Sequence, residues 1–155
     1  MADEIKVRVR DWRRVEAELL ARGAVFREER NIVDTYFNQP EPHHVLKIQK
    51  DDRAHWYVKL TPHDGKFAID LFERIDGDPA PLYAQLTAKF GVMSVLVKKC
   101  RFYDWRDYMI DFNLIDDYGD FLVLTGAAPS AELLRELGID EPEFVTVPFN
   151  ELPRL

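Results

Sequence analysis

The segment Glu4-Ile5-Lys6-Val7-Arg8-Val9-Arg10 alternates without a break, with Ile5, Val7 and Val9 on one face and Glu4, Lys6, Arg8 and Arg10 on the other. Successive side chains of an extended chain point to opposite sides, so this is a strand with one apolar and one charged face. The period of two returns over residues 24–29, 32–37, 45–50, 55–61, 67–75, 94–103, 108–115 and 120–125, and 144–149 reads as a last edge strand. Turn-rich breaks at Asn38-Gln39-Pro40-Glu41-Pro42, Asp51-Asp52 and Pro62-His63-Asp64-Gly65 suit antiparallel hairpins. Three stretches carry a helical period instead. Asp11 caps a helix that closes at Gly23, residues 79–90 place Leu82, Leu86 and Phe90 on one face before Gly91, and Ser130 caps a short helix ended by Gly138. This order predicts an α+β fold with one large antiparallel sheet. A flat sheet would leave its charged face wet, whereas a sheet curled into a barrel would turn that face into a lumen.

At 155 residues the chain fits a single domain, 1–155, because two separate cores would leave each half near the limit of stable burial. Hydrophobic residues at 46% supply a core and charged residues at 32% supply a hydrated surface, which excludes a disordered chain. Apolar runs are too short to span a bilayer, and the start Met1-Ala2-Asp3-Glu4 has no basic and apolar leader, so a cytoplasmic protein without a membrane partner is expected. Cys100, the only cysteine, excludes an internal disulfide and a cysteine-based zinc site. A net charge of −7 argues against a broad nucleic-acid surface, so any anion site must be a local cluster of cations.

Such a cluster is available. Lys6 and Arg8, Lys47, Lys59, and Lys99 with Arg101 lie on four predicted strands, each at a position opposite apolar neighbours. If those faces converge, the like charges repel unless an anion neutralises them, and phosphate oxygens suit both lysine and the fork of arginine. Alternation alone leaves a second reading open, in which the same residues are solvated strand charges that hinder edge-to-edge association. Tyr36, Trp56, Tyr57, Trp105 and Tyr108 are candidates for stacking a base, with core packing as the competing role.

The order of local motifs resembles the CYTH superfamily, and within it the class IV adenylyl cyclases and related triphosphatases. Glu4-Ile5-Lys6-Val7-Arg8 is similar to the second half of the family's opening Glu-x-Glu-x-Lys strand, and Asp34-Thr35-Tyr36-Phe37 to its Asp-Thr-Tyr-Phe segment. Leu46-Lys47-Ile48-Gln49 stands where the family has Leu-Arg-Ile/Val-Arg. Val58-Lys59-Leu60, Lys99-Cys100-Arg101 and Gly119-Asp120-Phe121 resemble its lysine strand, its Lys-x-Arg strand and its Gly-x-Phe segment. The resemblance implies an eight-stranded antiparallel barrel, or tunnel, with helices packed outside. Its basic side chains would hold a phosphorylated small anion such as a nucleoside triphosphate, thiamine triphosphate or polyphosphate. On this basis Lys6, Arg8, Lys47, Lys59, Lys99 and Arg101 are the expected phosphate ligands, and a homodimer is the implied assembly.

The acidic half of the family pattern is depleted. Ala2 stands at the first glutamate, Val123 and Thr125 replace the final acidic pair, Gln49 has lost the second arginine's charge, and the middle strand keeps at most Asp70. Mg²⁺ or Mn²⁺, which take carboxylate oxygens, would be left with Glu4, Asp70 and Asp111 as a reduced site. The sequence therefore points to an anion-holding tunnel with reduced or absent catalysis and no identifiable catalytic residue. Its alternatives are a working metal-dependent adenylyl cyclase or triphosphatase, and a protein-binding scaffold on the same barrel.

Overall fold

The computed structural model describes residues 2–155. The alternating N-terminal segment forms β1 (Asp3–Arg8), and the Asp11 side chain accepts a hydrogen bond from Arg14 N to open α1 (Trp12–Ala21). Then follow β2 (Val25–Phe37), β3 (Val45–Lys50), β4 (His55–His63), β5 (Lys66–Arg74) and α2 (Ala80–Phe90). The chain continues through β6 (Val92–Trp105), β7 (Tyr108–Ile115), β8 (Gly119–Gly126), α3 (Ala131–Glu136), β9 (Glu143–Val145) and a 3₁₀ turn at Phe149–Glu151. None of the described helices is long and apolar enough to cross a membrane.

Strands run in the order β5-β4-β3-β2-β6-β7-β8-β1, all antiparallel, and Asp3 and Glu4 of β1 pair back onto Ala68 and Phe67 of β5. Eight strands thus close into a barrel, the expected α+β architecture, and β9 adds to the C-terminal half of β1. Closure makes the two faces of every strand unequal, one facing a narrow lumen and the other facing outward.

What covers the outside decides which face is apolar. Behind β1, α1 and α3 bury Ile5, Val7, Leu19, Phe112 and Leu134 in one cluster; behind β3, α2 buries Leu46 and Ile48 with Leu86. There the alternating polar residues, Lys6 and Lys47, must turn inward. Across β4 and β5 the pattern reverses, with Val58, Leu60 and Phe67 inside and Lys59, Asp70 and Glu73 exposed.

Two expected elements differ. Residues 24–29 and 32–37 are one strand, β2, because Arg30 and Asn31 at the expected break stay in register with Cys100 and Lys99 of β6. The expected strand at 144–149 is ordered as β9 only as far as Val145. Pro148, which has no N–H to donate to a ladder, then turns the chain so that the Phe149 ring packs 4.8 Å from that of Phe121.

Gly119 opens β8 at φ +118°, and a Cβ there would lie 2.7 Å from Nη1 of Arg8. Gly119→Ala should therefore cost about 1–3 kcal/mol through backbone strain. Urea unfolding checks this, and an unchanged midpoint would contradict it.

Candidate anion-binding lumen

Three central strands bring the most buried charges together. Asp34 on β2 is fully buried, and one of its oxygens, Oδ2, accepts from Nζ of Lys47 on β3 at 2.9 Å and from Nζ of Lys98 on β6 at 2.8 Å. Burial opposes ionisation of Asp34, yet the two ammonium groups hold its carboxyl below the usual carboxylate range. Burial likewise opposes the charge on Lys98, and Asp34 overcomes it, raising the lysine above its ordinary value. The second oxygen, Oδ1, is buried with no protein donor.

On β1, Lys6 Nζ lies 4.3 Å from the centroids of both the Phe67 and Phe149 rings, a cation held between two π-faces. Its nearest carboxylate is Glu4, at 3.5 Å. Burial brings the Lys6 ammonium down to about 8, against the pull of Glu4 and with help from Lys47 and Lys98. Asp111 on β7 accepts a hydrogen bond from Asn113. Burial, followed by the charge of Glu4, pushes its carboxyl up to about 7, while Lys98 works the other way. Cys100 also faces inward, where burial drives its thiol up to about 12, so it is not a thiolate nucleophile.

Lys6, Lys47, Lys98, Glu4, Asp111, Asn113 and Cys100 line a cavity of about 210 Å³, with Asp34 behind the two lysines it bridges. Its floor is closed by aromatic and aliphatic packing in which Phe149 sits against Phe121, Tyr36 and Leu96. Phe102, Ile69, Phe72 and Met109, the last two substantially exposed, give the cavity a hydrocarbon surface, which it shares with the partly exposed Glu4, Asp111 and Thr125. The lumen thus combines three buried ammonium groups with carboxylates and hydrocarbon nearer solvent.

Of the residues expected from the sequence, Lys6, Lys47, Glu4 and Asp111 line this cavity. Arg8 does not. It lies over the Phe121 ring at 4.7 Å and donates to the Tyr118 carbonyl, beyond the floor. Lys59 is exposed beside Tyr57, because Val58 and Leu60 take the inward positions of β4. Lys99 is exposed, and Arg101 bonds outward to Glu16 at 2.9 Å and Glu29 at 2.8 Å while stacking on Trp12 and Phe26. Arg101 therefore fastens α1 to the barrel wall. The inward residues of β6 are Lys98, Cys100 and Phe102, one register position from the pair expected.

Asp70 is also outside. In the β4–β5 ladder Leu60 pairs with Ile69 and Lys59 with Leu71, which leaves Asp70 as the extra residue of a bulge, bonded to the Thr61 hydroxyl. The bulge puts Ile69 and Phe72 into the cavity and sends Glu73 outward with Asp70. Sequence reasoning missed Lys98 and the bridging role of Asp34. The available signal was the inward run Leu96, Lys98, Cys100, masked by exposed Val95 and Val97 on the opposite face.

A divalent ion of the kind implied by the family resemblance finds few oxygens here. Glu4 is beside Lys6, Asp34 is held by two lysines, Val123 and Thr125 line the wall where further carboxylates would stand, and Asp70 points away. Among the described residues no group of three or more His, Cys, Asp or Glu side chains is placed to hold a metal ion. The donor set does not fit a resident Mg²⁺ or Mn²⁺.

Fold and lumen together define a closed antiparallel barrel with a buried cationic interior. No protein-family model and no curated protein matches the sequence. Solved structures do. PH1012 from Pyrococcus horikoshii aligns at a TM-score of 0.85 with 21% identity over 99% of this chain and 100% of its own. A conserved protein of unassigned function from Pyrococcus furiosus aligns at 0.83 with 18% identity over 98% and 99% of the two chains. HpAC1 from Hippeastrum, described as a candidate adenylyl cyclase with a dominant triphosphatase activity, aligns at 0.65 with 13% identity over 96% and 92%. At these identities the likeness is one of fold.

Two outcomes follow from the geometry. Arg101→Ala should lower stability by about 1–3 kcal/mol, having removed the clamp on α1, and leave the affinity for inorganic phosphate unchanged. A tenfold loss of phosphate affinity in this variant would return Arg101 to the binding site. Asp111 has a folded pKa above its unfolded one, so the folded state holds the extra proton and stability falls as pH rises from about 4 to about 7. Asp111→Asn should accordingly gain on the order of 2 kcal/mol over the parent at pH 8 and almost nothing at pH 4, allowing for partial solvent screening. Equal differences at both pH values would contradict the assigned shift.

Proposed function

We propose that the chain is a single-domain, CYTH-like tunnel protein that binds a phosphorylated anion through Lys6, Lys47 and Lys98 and carries out no metal-dependent phosphoryl or nucleotidyl transfer. The observation that carries this reading is the convergence of three buried ammonium groups from β1, β3 and β6 on one cavity. Asp34 and Glu4 offset these charges only in part, and a phosphoryl group entering the cup would balance the remainder while accepting charge-assisted hydrogen bonds. Within the same cavity the carboxylates are engaged by lysines or by Asn113, which leaves no oxygen-rich position for a metal that would activate the phosphorus centre.

Isothermal titration with inorganic phosphate and with tripolyphosphate, each with and without Mn²⁺, tests this. Binding is expected without metal, to be unchanged by Mn²⁺, and to weaken about tenfold in Lys6→Met, the loss of roughly one charge-assisted hydrogen bond. Binding that requires Mn²⁺, or release of phosphate from tripolyphosphate, would favour a working triphosphatase instead. No binding of either probe would favour a barrel repurposed as a scaffold, a reading to which the inward Val123 and Phe72 also lend weight.

A further inference from the structure

Resting on the anion reading above, we infer that the ligand carries a single phosphoryl head on an apolar body, rather than a chain of phosphates. The first observation is charge. Lys6, Lys47 and Lys98 are offset within the lumen by Asp34 and Glu4, with Asp111 a further carboxylate on the wall. The surplus of positive charge is at most one, and the expected Arg8, Lys59, Lys99 and Arg101 do not add to it. A triphosphate with four negative charges would be left largely unneutralised inside a narrow, poorly hydrated barrel, whereas one phosphoryl group is nearly matched.

The second observation is the arrangement of surfaces along the cup. The ammonium groups are buried, Phe72 and Met109 are the exposed members of the lining, and Ile69, Phe102, Glu4, Asp111 and Thr125 are partly exposed. Phe72 is 48% and Met109 40% exposed, and the Trp56 ring lies 5.4 Å from that of Phe72. Phosphates strung from the lysines toward solvent would meet the Glu4 and Asp111 carboxylates and this hydrocarbon where they need donors. An aromatic or branched aliphatic body would instead cover these side chains and remove apolar surface from water, on both partners, at roughly 25 cal/mol per Å². Head and body together match a cavity with buried ammonium groups and exposed hydrocarbon at Phe72 and Met109.

The test is calorimetric titration of the full chain, without metal, with four probes: inorganic phosphate, tripolyphosphate, 1-naphthyl phosphate and 1-naphthol. The naphthyl ester is expected to bind at least tenfold more tightly than each of the other three. Phe72→Ser should collapse its advantage over inorganic phosphate to less than about threefold. Tripolyphosphate binding more tightly than the ester would overturn the inference and leave the anion reading standing. Naphthol matching the ester would overturn it by showing that the head is not read. Failure of all four probes would overturn both.

Discussion

A carboxylate shared between two lysines is the interaction on which the interior of this barrel depends. Asp34 ties β2 to β3 through Lys47 and to β6 through Lys98, so one fully buried residue fixes the inward face of three adjacent strands. Two ammonium groups facing each other across a lumen this narrow would repel, and Asp34 lets them coexist. Such an arrangement is weak as net stability, because desolvation consumes much of the Coulomb gain, but removing its centre leaves two uncompensated charges and costs about 3–5 kcal/mol. Its value is geometric: it holds two lysine ammonium groups in fixed positions on the lumen wall.

The same logic explains why the lumen is charged on one side and apolar on the other. Helices pack outside β1 and β3, and there the apolar face of the strand is spent on the helix, which sends lysine inward. No helix contributes to the apolar packing of β4 and β5 at Val58, Leu60, Phe67 and Ile69, so the apolar face turns in and lysine and aspartate turn out. Because β3 pairs with β4 and β1 with β5, the two regimes lie side by side around the barrel. The lumen that results carries lysine from β1 and β3 beside hydrocarbon from β4 and β5, where the bulge at Asp70 sets the phase of Ile69 and Phe72.

This is also why the sequence was legible in some strands and not in others. The alternation of β1 and β3 placed Lys6 and Lys47 on the face that turns into the lumen, since their apolar neighbours Ile5, Val7, Leu46 and Ile48 are the ones a helix covers. On β4 the same inference misplaced Lys59, because Val58 and Leu60 pack toward the lumen and turn the lysine between them outward. β6 misled further. Its C-terminal half packs Tyr103 against α1 while its N-terminal half leaves Val95 and Val97 exposed, so apolar character no longer marks the protected face. Lys99 and Arg101 matched a motif, and Lys98, one position away, occupies the lumen. For Asp70 the obstacle was a bulge, which shifts phase by one residue and leaves no mark in composition. Closure of the eight strands, by contrast, followed from element order and resemblance, which depend on no single register.

The central claim is that Lys6, Lys47 and Lys98 form the anion site and that the other cations of the motif do not. The most direct test is a phosphate titration followed through the ¹⁵N resonances of the lysine side chains. Shifts in the Nζ signals of Lys6, Lys47 and Lys98, with those of Lys59 and Lys99 unmoved, are what the account predicts. Saturable shifts at Lys59 and Lys99 with the three buried lysines silent would contradict it.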